Sequence, residues 1–123
     1  GSVAAARLTG CKNILPCTRV DEHTVRLAGW EKNLTVALPV PEGCCAVGIR
    51  AHDFAPCAPD APNSLSVQAG ELSENPFDWN LICTVPGGEA RLWWKISKSS
   101  LGSPPPAAPT YLAAAPEAIM PLR

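Results

Sequence analysis

The chain has 123 residues, ten basic and eleven acidic side chains and a formal net charge of −1. That balance argues against a nucleic-acid or anionic-membrane surface, which wants a clear excess of Lys and Arg. A chain this long forms one domain that buries roughly two-thirds of its unfolded surface. It contains no run of about 18 apolar residues and opens with no charged and apolar leader, so it reads as a cytosolic protein without a membrane span.

In chain order the signals are short strands and turns, with almost no helical periodicity. Thr24-Val25-Arg26-Leu27 and Leu34-Thr35-Val36-Ala37-Leu38 alternate polar and apolar residues. They predict a hairpin whose turn is marked by Gly29 and Asn33. Pro39 and Pro41 end the returning strand, because proline cannot donate to a ladder. Glu42-Gly43 then turns the chain into a strand over Cys44 to Arg50, with Val47 and Ile49 in the core and Gly48 allowing close packing. A Pro- and Ala-rich stretch from Pro56 to Pro62 divides the domain into halves, about 7–55 and 63–98.

The second half opens with Ser64 to Leu72, where the alternation slips at Gly70 and predicts a β-bulge. Phe77, Trp79, Leu81, Cys83 and Val85 share one face by the two-residue repeat and are expected in the core. Pro86-Gly87-Gly88-Glu89 is a turn, after which Arg91 to Ser97 returns antiparallel. That return points Leu92, Trp94 and Ile96 inward and Trp93 outward. Gly102 to Pro109 is extended and stiff by composition. Tyr111, Leu112, Ile119, Met120 and Leu122 follow it, and a solvated tail would not carry them. Residues 102–123 are expected to form an arm packing on a domain of residues 1–101, with 118–122 adding an edge strand or binding a sister subunit.

The six cysteines stand at 11, 17, 44, 45, 57 and 83 without a Cys-x-x-Cys pair, and His23 and His52 have no companion at ligand spacing. No metal site is expected, and the thiols read as small reduced hydrophobes. No Ser-His-Asp or Cys-His arrangement supports catalysis. A phosphate-binding Gly-x-x-x-x-Gly-Lys-[Ser/Thr] loop is absent, so no ATP hydrolysis is expected from this chain.

Three segments carry a resemblance. Ala4 to Ile14 includes Thr9-Gly10-Cys11-Lys12-Asn13, Val47-Gly48-Ile49-Arg50-Ala51-His52-Asp53-Phe54 ends a strand in a charged corner, and Glu74 to Trp79 joins with Leu92-Trp93-Trp94-Lys95. In this order they resemble the TOBE domain, an OB-fold-like β-barrel attached to ATP-binding subunits of ABC importers, and most of all its molybdate- or tungstate-type members. The resemblance implies an all-β small barrel preceded by a short exit helix. It further implies a regulatory and dimerising role, with the chain an excised C-terminal piece of an ATPase subunit. ATP and Mg would then belong to the ATPase domain of the same polypeptide. Homodimerisation and an indirect link to the transporter's membrane subunits follow, at the cytoplasmic face of the membrane.

Thr9-x-x-Lys12-Asn13-x-Leu15 also resembles the signature of the small molybdate-binding Mop domains, with Gly-Cys where Ser-Ala is usual and no second copy visible. By that resemblance Thr9, Lys12 and Asn13 would bind a molybdate or tungstate ion, since a tetrahedral dianion needs converging donors. The plainer reading has Asn13 bonding backbone and Lys12 solvated. Arg50, His52, Asp53, Asn75, Phe77 and Trp93 are the expected interface or regulatory contacts. The competing reading is an OB-type nucleic-acid module that stacks bases on Trp30 or Trp93.

Overall fold

The computed structural model describes residues 2–8, 10–101 and 110–123. Thr9 and the Pro-rich stretch 102–109 lie outside them. Helix α1 (Val3–Leu8) is alanine-rich, and its first turn is capped by Ser2 Oγ, which accepts the Ala5 N–H at 3.1 Å. Gly10, at φ +80°, closes its other end. The Gly10 N–H bonds Arg7 O and the Cys11 N–H bonds Ala6 O, the paired closure that a left-handed residue permits.

Twelve strands follow: β1 (Asn13–Pro16), β2 (Thr18–Asp21), β3 (Thr24–Leu27), β4 (Lys32–Thr35), β5 (Ala46–Ile49), β6 (Phe54–Pro56), β7 (Leu65–Ser66), β8 (Gln68–Glu74), β9 (Asp78–Thr84), β10 (Arg91–Ser97), β11 (Tyr111–Ala114) and β12 (Met120–Leu122). Among the described residues one other α-helix, α2 (Lys98–Leu101), follows β10. The expectation of a small all-β barrel of antiparallel strands is met.

The strands pair as two copies of one plan. Three-stranded meanders β2-β3-β4 and β8-β9-β10 correspond, as do the sheets β1-β5-β12 and β7-β11-β6. Each half therefore lends its last strand to the other: β6 pairs with β11, and β12 pairs with β5. The match extends to single residues. Leu15 opposite Val47 corresponds to Leu65 opposite Leu112, and Val25 opposite Leu34 to Cys83 opposite Leu92. The register also shifts at the same place in β2 and in β8, next to Gly70 in the latter as the alternation implied.

One hydrophobic core draws on both halves, including Val25, Leu27, Trp30, Val47, Ile49, Cys83, Leu92 and Leu112. Trp30 and Phe54 meet edge to face in it, with ring centroids 6.0 Å apart. The β3–β4 and β9–β10 turns touch backbone to backbone. The Ala90 N–H bonds Gly29 O at 2.8 Å, and a Cβ on Gly88 would stand 2.5 Å from that same oxygen.

Three sequence expectations change. The β3–β4 connection is a 3-10 turn, Ala28–Trp30, closed by Glu31 at φ 52°, and Asn33 lies inside β4 opposite Arg26 rather than in the turn. Phe77, expected in the core, is 83% exposed. The two-residue repeat begins only at Asp78, because residues 75–77 form the β8–β9 turn, and Leu81, Cys83 and Val85 keep the predicted inward face. β12 is an edge strand of its sheet, as expected for residues 118–122, but residues 110–123 are part of the frame instead of an arm laid on it. β11 is the central strand of its sheet, and Leu112, Ile119 and Leu122 are buried.

Candidate functional site

The loop between α1 and β1 is built by the helix closure just described. Gly10 faces open space, with nothing within 4 Å of a Cβ placed there, and Lys12 is exposed. The β1/β5 register pairs Asn13 with Ile49, so Lys12 and Arg50 stand one residue beyond the same end of that ladder. Both cations are exposed. The corner after Arg50 is a 3-10 turn, Ala51–Asp53, in which the Asp53 N–H returns to Arg50 O and Ala51 is buried. His52 Nε2 lies 3.7 Å from Asp53 Oδ1. Burial pushes the Cys11 thiol up, and its Sγ donates to Asn13 O at 3.7 Å.

Asn13 has a different occupation from the one its motif suggested. It is 1% exposed, donates from Nδ2 to Trp93 O at 2.9 Å and accepts the Trp93 N–H on Oδ1 at 2.8 Å. Its amide is spent on the backbone of β10, so it positions the loop and offers no face to an anion. Asn13 thereby ties the backbone of Trp93 to the residue after Lys12. Trp93 is 37% exposed, as the alternation of β10 implied, between the outward positions Arg91 and Lys95. The same strand packs on the corner turn, and Trp94 Nε1 donates to Phe54 O at 2.9 Å.

Lys12, Arg50, His52, Asp53 and Trp93 therefore gather on one side of the molecule. Asn75 and Phe77 do not join them. They sit in the β8–β9 turn, where Asn75 Nδ2 donates to Asp78 Oδ1 and Phe77 O accepts the Lys98 N–H. Trp93 is opposite Ile82 while Ser97 is opposite Asp78, so that turn is roughly 13 Å further along β10. Lys98 caps this end, paired with Glu74 and lying 5.1 Å over the Trp79 ring.

The residue missed by sequence reasoning is Asn63. It stands in the second half where Asn13 stands in the first, and it makes the equivalent clamp. Asn63 Oδ1 accepts the Thr35 N–H at 2.8 Å and Nδ2 donates to Thr35 O at 2.9 Å, with a further contact to Ala114 O at 3.3 Å. Thr35 and Trp93 are equivalent positions of β4 and β10, so each half clamps the other. The signal was present as Asn13-Ile14-Leu15 and Asn63-Ser64-Leu65, a second copy of the Asn-x-Leu part of the motif.

The cysteines are all free thiols. Cys44 is buried and its neighbour Cys45 exposed, as adjacent strand-like positions require. Cys17 Sγ and Cys44 Sγ approach to 3.6 Å. Burial, reinforced by Cys44, pushes the Cys17 thiol up to about 12, and burial pushes Cys83 to about 11. Neither is an activated nucleophile. Among the described residues no group of three His, Cys, Asp or Glu side chains is placed to hold a metal. No helix of the described residues is long and apolar enough to cross a membrane.

No protein-family model and no curated protein matches the chain. A solved structure does. The cytoplasmic molybdate-binding protein ModG, in a form with molybdate bound, superposes with a TM-score of 0.68 and 10% sequence identity. The superposition covers 93% of this chain and 98% of that one. At this identity the likeness is one of fold, and it takes in both halves of the barrel.

Proposed function

We propose that the chain is an oxyanion-binding module of the molybdate or tungstate class, acting in the cytoplasm. The observation that carries this reading is the nearly end-to-end likeness to a molybdate-binding protein, in which the whole paired-half architecture is shared. The proposed locus is the α1–β1 loop with its corner. Lys12 and Arg50 supply positive charge, and Gly10 leaves the loop backbone open to close approach; the motif resemblance would add the hydroxyl of Thr9, which lies outside the described residues. Asn13 holds that loop to Trp93 and is a positioning residue.

The finer reading, from the motif resemblance, is that the module regulates and dimerises the ATP-binding subunit of a molybdate- or tungstate-type ABC importer. In that role Trp93 and the His52-Asp53 corner form contacts to a second copy or to the ATPase domain. The chain itself has no catalytic part in this reading.

Thermal denaturation with molybdate, tungstate and sulfate tests it. A ligand at about 100 times its dissociation constant stabilises a fold by roughly 2.7 kcal/mol, which raises the midpoint by several degrees. Lys12→Ala with Arg50→Ala should abolish the shift. The absence of any shift with all three anions would end the oxyanion reading, and a strictly monomeric result by light scattering at high concentration would end the dimer. A nucleic-acid titration with a steep salt dependence would favour base stacking on Trp93 instead.

A further inference from the structure

The two halves share one backbone plan, so each surface feature of one half has an equivalent in the other that serves as an internal control. A cavity of about 250 Å³ opens between the β3–β4 turn, β7 and β11, with Trp30, Leu65 and Val85 among its apolar walls. Five polar side chains line it as well: Glu31, Ser64, whose Oγ donates to Pro59 O at 2.7 Å, and three more, Lys32, Ser66 and Tyr111. Ser66 and Tyr111 are directly opposite across the β7/β11 pair, so their side chains share a face, and Lys32 opens β4 beside them. No hydrogen bond or ion pair engages these three polar groups among the described residues. Glu31, also on the rim, is occupied by Arg26 at 3.3 Å.

The equivalent place in the other half carries none of this chemistry. Pro16 stands for Ser66, Ala46 for Tyr111 and Ala90 for Lys32, and Pro16 and Ala46 are likewise paired across strands. The fold therefore does not require a lysine and two hydroxyls there. Lys32 is half-buried and gives up hydration without an ion-pair partner, while the half-buried Tyr111 and the exposed Ser66 add two hydroxyls that line the same space. Apolar walls around a few converging polar groups are the usual make-up of a small-molecule site.

We infer that this cavity binds a small organic anion, a carboxylate on a flat apolar body. Its carboxylate meets the Lys32 ammonium and the Ser66 and Tyr111 hydroxyls, and its body lies along Leu65, Val85 and the Trp30 edge. The site is separate from the proposed oxyanion loop, whose residues do not line it.

Benzoate is the probe, with benzyl alcohol as its neutral isostere and benzylamine as its cationic one, followed by backbone-amide NMR on the full chain. Saturable benzoate shifts are expected at residues 32, 66 and 111, with no saturation by benzylamine and weaker binding of the alcohol. Lys32→Met, which keeps the aliphatic stem, should weaken benzoate at least about tenfold, the loss of one charge-assisted hydrogen bond. Lys32→Arg should retain binding within a few-fold, and Tyr111→Phe should weaken it less than Lys32→Met. Equal binding of benzoate and benzyl alcohol, no saturable benzoate shift in the wild-type chain, or an unchanged affinity in a folded Lys32→Met variant would each overturn the assignment.

Discussion

The paired asparagine clamps tie each half to the backbone of the other. Asn13→Ala removes one donor and one acceptor from a site that is 1% exposed, and it leaves Trp93 N–H and C=O without their partners. Removing one member of a buried pair costs the desolvation of the group left behind, about 1–3 kcal/mol each. The β10 backbone can recover part of that from water, because Trp93 lies on an outward-facing position. A net loss of about 3 kcal/mol is therefore expected, a large share of the roughly 5–15 kcal/mol that holds a domain together.

Asn63→Ala removes the equivalent clamp on Thr35, and its extra contact to Ala114 O puts the expected loss at the same level or above. Urea unfolding followed by circular dichroism reads both. With a slope of about 1.5 kcal/mol per molar, each variant should fall by about 2 M in midpoint with an unchanged slope. Asn13→Asp keeps the acceptor for Trp93 N–H, loses the donor to Trp93 O and buries a charge, so it should fare no better than alanine. A loss below about 1 kcal/mol in either alanine variant would show that these amides do not bind the halves together.

Gly88→Ala should cost about 1–3 kcal/mol in the same assay, because its Cβ would stand 2.5 Å from Gly29 O, a backbone atom that cannot swing aside. Phe77→Ser should change stability by no more than about 0.5 kcal/mol, the outcome for an exposed turn residue; a larger loss would restore it to the core. Asp21 is held below the usual carboxylate range, first by the His23 N–H and next by the Thr24 hydroxyl. Its folded value is thus below its unfolded one, so its contribution is present at neutral pH and fades below about pH 4; the urea-midpoint gap between wild type and Asp21→Ala should narrow there. Deleting residues 110–123 should leave a chain without cooperative unfolding, since it removes the central strand β11 and the partner of β5. A sharp transition in the shortened chain would restore the arm.

Local pattern was enough for the parts of this fold that close locally. Val25 and Leu27 follow the alternation of their own strand, Val47 and Ile49 lie in a strand buried on both faces, and the slip at Gly70 marks a register shift within one hairpin. Phe77 failed because alternation has no sign of its own for where a strand begins. Its phase is right from Asp78 onward, and the turn built on Asn75 and Asp78 moves Phe77 outside it.

Asn13 was illegible for a deeper reason. An amide next to a lysine in a glycine loop has the donors an anion wants, and nothing nearby in the chain competes for them. The competitor is the Trp93 backbone, 80 residues away, and only the exchange of strands between halves brings it near. The same exchange explains why residues 111–122 looked like a tail. Two of their partner segments, Phe54 to Pro56 and Ala46 to Gly48, belong to the other half, and the third, Leu65–Ser66, lies about 45 residues back in their own, so no local hairpin announces them.

Exchange also changes what the cationic loop can respond to. Lys12 and Arg50 sit on the β1/β5 end of the first half, Asn13 ties that end to β10 of the second, and β12 of the second half completes the β5 sheet. A charge bound at the loop is thus held against elements of both halves. Its binding energy stabilises the junction itself and not one repeat alone. Anion-dependent protection from hydrogen exchange should therefore appear at the Trp93 N–H and along β12 as well as in the loop. Protection confined to the loop would uncouple the site from the junction, even if the anion bound.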